Sequence, residues 1–472
     1  MNSTRRDILR RGVVAGVLAT PAAGLLSSCA MGGDDDDSGT GSERGEKTTE
    51  NPFGVKVDAP LEVVIFNGGY GEDYAKAHEA MYTEKYPKAK ITHSATQEIS
   101  KTLQPRFVDG SPPDVVNNSG AGQIDQGGLV SQGALSDLTE LLGAPSLDVP
   151  GKTVKDTLLP GVVEVGSYDG KFFVLNISYT AYGIWYSTKL FTDKGWAYPK
   201  TWDEHIALCK TIKAAGIAPW TYAGKHPRYM SWPVIATAIK FGGLGVAEAI
   251  DNLEPNAWKS DAMKASADAW HQIVKDGFIL PGTPGLDHVQ SQTEWCRGKA
   301  AFISCGSWLE NEQKAVTPAG FNMSVAPTPS LGASDKLPFE AMRGTASEPF
   351  IVPAKAKNVP GGLEYFRTML SMKGAKDFTQ KVSALSVVAG SADGATLGPG
   401  LSSVVKALDA SGANGFNWVY QNYYRKLERE LVDAACGEFF SGRIGPAEFL
   451  DQCQKGADSI ASDSSIKKYK RA

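Results

Sequence analysis

The stretch Tyr168–Phe191 constrains the fold most, because it is a long apolar run carrying polar tips that must be satisfied. A Tyr168-Asp169-Gly170-Lys171 turn feeds a segment rich in aromatic and β-branched residues, and a different element begins between Thr188 and Asp193. This pattern predicts a strand that leaves one half of the molecule and enters the other. Asn176, Ser178, Tyr179, Thr180 and Tyr182 punctuate it. A buried hydroxyl or amide costs free energy unless something hydrogen-bonds it. The partners are either neighbouring tyrosines and serines or a polar ligand held between two halves.

With 472 residues, 42% of them hydrophobic, the chain is too long for a single compact core and fits two or three domains' worth of burial. The net charge of −4 and the absence of a Lys/Arg stripe interleaved with aromatics argue against a nucleic-acid partner.

The N-terminus reads as an address. Thr4-Arg5-Arg6-Asp7 is a twin-arginine region, Gly12–Leu26 is apolar but short for a bilayer span, and Leu26-Ser27-Ser28-Cys29 resembles a lipobox. Residues 1–28 are therefore expected to be a lipoprotein signal peptide, with Cys29 as the site of lipid attachment. Residues 29–55, dominated by Gly, Ser, Thr and charge, are expected to be a disordered tether; their four consecutive aspartates suit a solvated spacer better than a cation site.

Cys209, Cys296, Cys305, Cys436 and Cys453 follow, an odd number with no zinc-like spacing, and no metal or cofactor is expected. A helical hairpin about the turn Ser441–Pro446 would bring Cys436 and Cys453 close enough for a disulfide.

The mature chain opens with repeated strand–loop–helix units. Leu61–Phe66 runs into Asn67-Gly68-Gly69-Tyr70, Ala89–Ala95 into Gln97-Glu98, and Pro112-Pro113-Asp114-Val115-Val116 into Asn117-Asn118. Ligands of open α/β sheets sit beyond the carboxyl ends of strands, which makes Asn67, Tyr70, Glu98 and Asn118 candidate site residues. The glycines match neither phosphate-loop pattern. Further on, Thr201 and Glu204 form a capping box for a helix. The loop Lys225–Pro233 is dense in aromatics and includes Tyr229. Strand Ala300–Cys305 ends in Gly306-Ser307-Trp308, a glycine hinge presenting one indole, with Glu310 among the polar residues around it. Ser347–Pro353 is a second crossing segment, and Phe416–Tyr424 opens a long helix on which Trp418 either faces a cleft or anchors the core.

Lipobox, tether, Pro113-Asp114-Val115-Val116, the crossing segment, Lys200-Thr201-Trp202-Asp203-Glu204 and Gly298-Lys299-Ala300-Ala301 through Trp308 come in the order seen in family 1 extracellular solute-binding proteins of carbohydrate ABC importers. The chain resembles that family over roughly residues 60 to 460, and within it the actinobacterial lipoproteins that bind N-acetylglucosamine and N,N′-diacetylchitobiose.

The resemblance implies an α/β, two-lobed periplasmic-binding-protein-like fold of type II, its lobes joined by two or three crossing segments. Lobe 1 would span 56–178 and 346–398, and lobe 2 179–345 and 399–472. It implies a monomer held on the outer face of the cell membrane by its lipid, which binds a sugar between the lobes and hands it to membrane permease subunits. Asn67, Tyr70, Asn118, Tyr179 or Thr180, Tyr229, Trp308 and Trp418, with Glu98 more loosely, are the residues it carries over. At Asn118, where related maltose binders have Trp, an amide suits an acetamido group.

Sugars present apolar C–H faces and a rim of hydroxyls, so aromatic plates with an amide and carboxylate rim, Glu98 or Glu310, fit the same reading. Three alternatives stand beside it. One is a binding protein for a cello-, malto- or xylo-oligosaccharide. Another is a sugar co-receptor for a sensor kinase. The third is a secreted glycoside hydrolase, which would need two carboxylates such as Glu98 and Glu310 set across a bond.

Overall fold

The computed structural model describes residues 43–120 and 122–471. The signal region and Cys29 lie outside them. From Glu43 onward the chain is packed, which shortens the expected tether at its C-terminal end. Arg44 and Lys47 both pair with Glu140, at 2.8 and 3.0 Å. Phe53 and Val55 are buried in the core. The Asn51 side chain accepts from the Val55 N–H at 2.8 Å. Two apolar residues in Pro52-Phe53-Gly54-Val55 give this polar segment an anchor that the composition of the stretch as a whole conceals.

Nine strands make one sheet among the described residues. They are β1 (Leu61–Phe66), β2 (Ile91–Thr96), β3 (Val115–Asn117), β4 (Leu175–Ser187), β5 (Ala218–Thr221), β6 (Ala300–Gly306), β7 (Met323–Ala326), β8 (Arg343–Ile351) and β9 (Leu385–Ser386). The main order is β2-β1-β3-β8-β4-β6-β5, with β7 and β9 also on β4. β1 pairs in parallel with β2 and β3, as strand–helix–strand units require. β4 is the predicted crossing strand. Its first half pairs antiparallel with β8 and β9, its second half with β6 and β7.

Helices flank both ends of this sheet. Helix α1 (Asp73–Lys85) packs against α2 (Val359–Met369) and α3 (Met372–Val382). At the other end Asp261–Lys275 packs against Ser231–Gly242 and Pro446–Ser462. The capping box at Trp202–Ala214 forms as expected, with Thr201 accepting from the Glu204 N–H.

Two expectations fail here. The long helix from Phe416 breaks into Tyr420–Tyr423, the wide-turned π segment Leu427–Val432, and Asp433–Phe440, because Tyr424 leaves helical geometry at φ −133°. Cys436 and Cys453 are buried free thiols. Their helices pack together, but each side chain is held in the apolar interior.

Candidate functional site

Parity along β4 decides which polar tips share a space. Successive side chains alternate faces, and directly opposed residues of an antiparallel pair share one. Tyr182 opposes Arg343, Thr180 opposes Thr345, and Ser178 opposes Ser347. This even-numbered face is the floor of a cleft of about 730 Å³, lined among others by Asn176, Tyr182, Thr345 and Ser347. The opposite face, with Tyr179 on β4 and Gly344 on β8, borders a separate cavity behind the strands.

Loops after β1, β2 and β3 form one wall, with Phe66, Tyr70, Glu98 and Ser119. The Phe66 ring fits there because two glycines make room. A Cβ on Gly68 or Gly120 would lie 2.0 or 2.3 Å from it, and Gly120 has φ +81°. Tyr70 reaches the floor, its hydroxyl 3.1 Å from Ser178 Oγ, and its ring packs edge-on to Phe378 at 5.6 Å.

The opposite wall is aromatic. Tyr229 and Trp232 lie 4.3 Å apart. Trp308 stands edge-on to Trp232 at 6.0 Å and to Tyr182 at 5.5 Å. A Cβ on Gly306 would sit 2.0 Å from the Trp308 ring, so the glycine is the seat of the indole rather than only a hinge. Asn311 donates across the cleft to the Gly69 carbonyl. The π segment contributes Glu428 and Arg429 to the rear, a position where such wide turns recur in functional sites.

Charge is mixed. Burial, helped by the Arg228 guanidinium, pushes His226 down to about 4. Burial raises the Glu312 carboxyl while His288, 3.6 Å away, opposes that. Glu348 is pushed up to about 7 by burial, against the opposing bonds from Asn117 and Ser119. Among the described residues no group of three His, Cys, Asp or Glu side chains is arranged to hold a metal.

Of the candidate site residues named from sequence, Tyr70, Glu98, Tyr229 and Trp308 come together on this cleft, with Asn176 and Tyr182 of the crossing segment. The other candidates do not line it. Asn67 is exposed at the strand end, with Phe66 taking the place beside the cleft. Asn118 is buried, and its amide closes its own loop, accepting from the Ile124 N–H at 2.8 Å and donating to the Ile124 carbonyl at 3.0 Å. Tyr179 falls on the wrong parity. Glu310 accepts from the Gly400 and Leu401 N–H groups at 2.8 and 2.7 Å, capping the helix Pro399–Ser411. That also removes the Glu98–Glu310 pair from consideration as hydrolytic carboxylates. Trp418 is buried, its indole 3.8 Å from the Arg343 guanidinium, which lies 4.2 Å from Tyr182 on its other side.

Residues that sequence reasoning missed are Glu348, His226, His288 and Arg429, whereas Asn311 and Glu312 belong to the polar rim expected around Trp308. The density of polar and aromatic residues in Lys225–Pro233 was the available signal for His226. Nothing local marks Glu348.

An α/β molecule whose crossing strands floor an aromatic, polar-rimmed cleft is a two-lobed binding protein of type II. The chain belongs to the bacterial extracellular solute-binding protein family, whose sequence model matches residues 68–376. It is 35% identical, over 98% of both chains, to the diacetylchitobiose-binding protein NgcE of Streptomyces coelicolor. In solved structures it is similar to a chitin oligosaccharide-binding protein, with a TM-score of 0.70 at 18% identity over 86% of this chain and 99% of that one. It is also similar to the raffinose complex of the binding protein RafE, with a TM-score of 0.66 at 18% identity over 84% and 99%.

Proposed function

We propose that this protein captures an acetamido sugar, N-acetylglucosamine or N,N′-diacetylchitobiose, in the cleft and delivers it to the permease of an ABC importer. The observation that carries the reading is the juxtaposition of Trp308, Trp232, Tyr229 and Tyr70 with amide and carboxyl groups in one cleft of about 730 Å³. Flat rings cover the C–H faces of a pyranose, and polar groups between them take its hydroxyls and amide. The near full-length likeness to NgcE supports the same sugar class.

In this reading lobe 1 is 56–178 with 346–398 and lobe 2 is 179–345 with 399–472. The packing of α1 on α2 and α3, and of Asp261–Lys275 on Pro446–Ser462, fits that division. Bending β4 and β8 then opens and closes the cleft, and the sugar favours closure by binding the closed form better. The protein acts as a monomer anchored through lipidated Cys29, and it binds its sugar without transforming it.

Isothermal titration calorimetry of a soluble form beginning at Glu43 tests this against N-acetylglucosamine, N,N′-diacetylchitobiose, cellobiose, maltose and xylobiose. Binding confined to the acetamido sugars and lost in Trp308→Ala supports the reading. Binding of a plain glycan instead replaces the substrate with a cello-, malto- or xylo-oligosaccharide. Products released from diacetylchitobiose would make the protein a hydrolase.

A further inference from the structure

On the cleft floor, one buried polar group has no partner and another reaches the cleft only through an unusual backbone. Asn176 is 2% exposed and lines the cleft, yet its Nδ2 finds no acceptor. Leaving a buried amide donor unpaired costs its full desolvation penalty, so something other than protein is expected to receive it. Across the strand pair Asn176 opposes Pro349, the residue after Glu348.

Simple alternation would turn Glu348 to the rear face with Gly344. Instead its φ is +61°, the residue lines the cleft, and its carboxyl meets Ser119, another residue of the cleft wall. A left-handed glutamate before proline is strained. Its surroundings hold it there: the Pro349 carbonyl accepts from the Asn118 N–H at 2.8 Å and from Asn117 Nδ2 at 3.1 Å, and Ser119 Oγ donates to Glu348 Oε2 at 3.0 Å. The carboxylate takes side-chain bonds from Asn117 and Ser119 and keeps further lone pairs for a guest.

We propose that Asn176 and Glu348 are the pair that reads the acetamido group, the Asn176 amide donating to its carbonyl oxygen and the Glu348 carboxylate accepting from its N–H. An acetamido group carries one acceptor and one donor on opposite edges, and this floor offers one donor and one acceptor from adjacent strands. A plain 2-hydroxyl must donate and accept through a single oxygen, whereas the acetamido group presents its donor and acceptor on separate atoms. Because both residues stand on the crossing strands, their occupancy also ties recognition to the bending of those strands.

This inference rests on the acetamido reading above. Its test is calorimetry of N,N′-diacetylchitobiose and cellobiose binding to wild type, Asn176→Asp and Glu348→Gln, substitutions that reverse hydrogen-bond sense while keeping shape. Thermal melts confirm that each variant folds, and Asn176→Ser replaces Asn176→Asp if the latter does not. Each variant is expected to lose tenfold or more in affinity for diacetylchitobiose, with any cellobiose binding changed less than threefold. Wild-type binding of diacetylchitobiose with both variants within threefold of it overturns the pair alone. Failure of wild type to bind any acetamido sugar overturns the substrate reading and the pair with it.

Discussion

Replacing Glu348 by Gln removes a charge that the fold disfavours, and the benefit is expected only at the pH where that charge exists. Burial lifts the carboxyl to about 7, with the Tyr70 and Tyr74 rings nearby and only Asn117 and Ser119 donating to it. From the ordinary glutamate range to about 7, at about 1.36 kcal/mol per pH unit, the ceiling is about 3 kcal/mol, and water in the open cleft lowers this to about 2 kcal/mol. The sign follows from proton counting. Near pH 4 the carboxyl is protonated in folded and unfolded chains alike and contributes nothing. Between roughly 4.5 and 7 the unfolded chain releases its proton while the folded one keeps it, so stability falls as pH rises. Above 7 the full penalty stands. Urea denaturation followed by tryptophan fluorescence should therefore show Glu348→Gln close to wild type at pH 4 and more stable by about 2 kcal/mol at pH 8. Ser119 can still donate to the glutamine Oε1, so the comparison isolates charge. A difference that does not change between pH 4 and 8, or a variant less stable at pH 8, would refute the reasoning. A sugar that donates to the carboxylate favours its ionised form, so wild-type affinity should rise with pH through about 7, and that of the variant should not.

Glu310→Ala strips the acceptor from two N–H groups at the start of Pro399–Ser411 and should cost about 2 kcal/mol in denaturant titration, with sugar affinity within about threefold of wild type. Gly306→Ala sets a methyl where the Trp308 ring now lies, so calorimetry should show affinity weakened by about tenfold or more together with a shifted tryptophan emission. Cys209, Cys296, Cys305, Cys436 and Cys453 should all react with a thiol reagent after unfolding in denaturant and resist it in the native protein, without any reductant. Prior reduction raising the thiol number would contradict that.

What could be read from sequence was what neighbouring residues decide. β4 was legible because a largely buried run is rich in aromatic and β-branched residues. The capping box at Thr201 and Glu204 lies within four residues. Trp308 was legible because Gly306 and Ser307 precede it, although the reason for the glycine, an indole lying against its Cα, is tertiary. The face taken by Tyr179 was not legible, since a one-residue difference in parity exchanges the cleft for the rear cavity. Nor was the positive φ of Glu348, which Asn117, Asn118 and Ser119 impose from a strand more than two hundred positions away.

The polar candidates divide on a single physical question. A sequence states that a polar group in an apolar setting needs a partner, but it does not say who supplies one. Asn118 obtains its partner six residues on, at Ile124, and Glu310 obtains two from a helix start ninety residues later. Trp418 has its Nε1 donating to Gln421 at 3.0 Å and its face against Arg343. Each is thereby explained by the protein itself, and a ligand would have to break those bonds to use it. Asn176 stood out in the sequence only as a polar tip of the crossing segment and was not a site candidate, yet it alone of the four lines the cleft with a buried donor still unmet. In a solute-binding protein, the unmet donor is the better guide to the guest than the residue type.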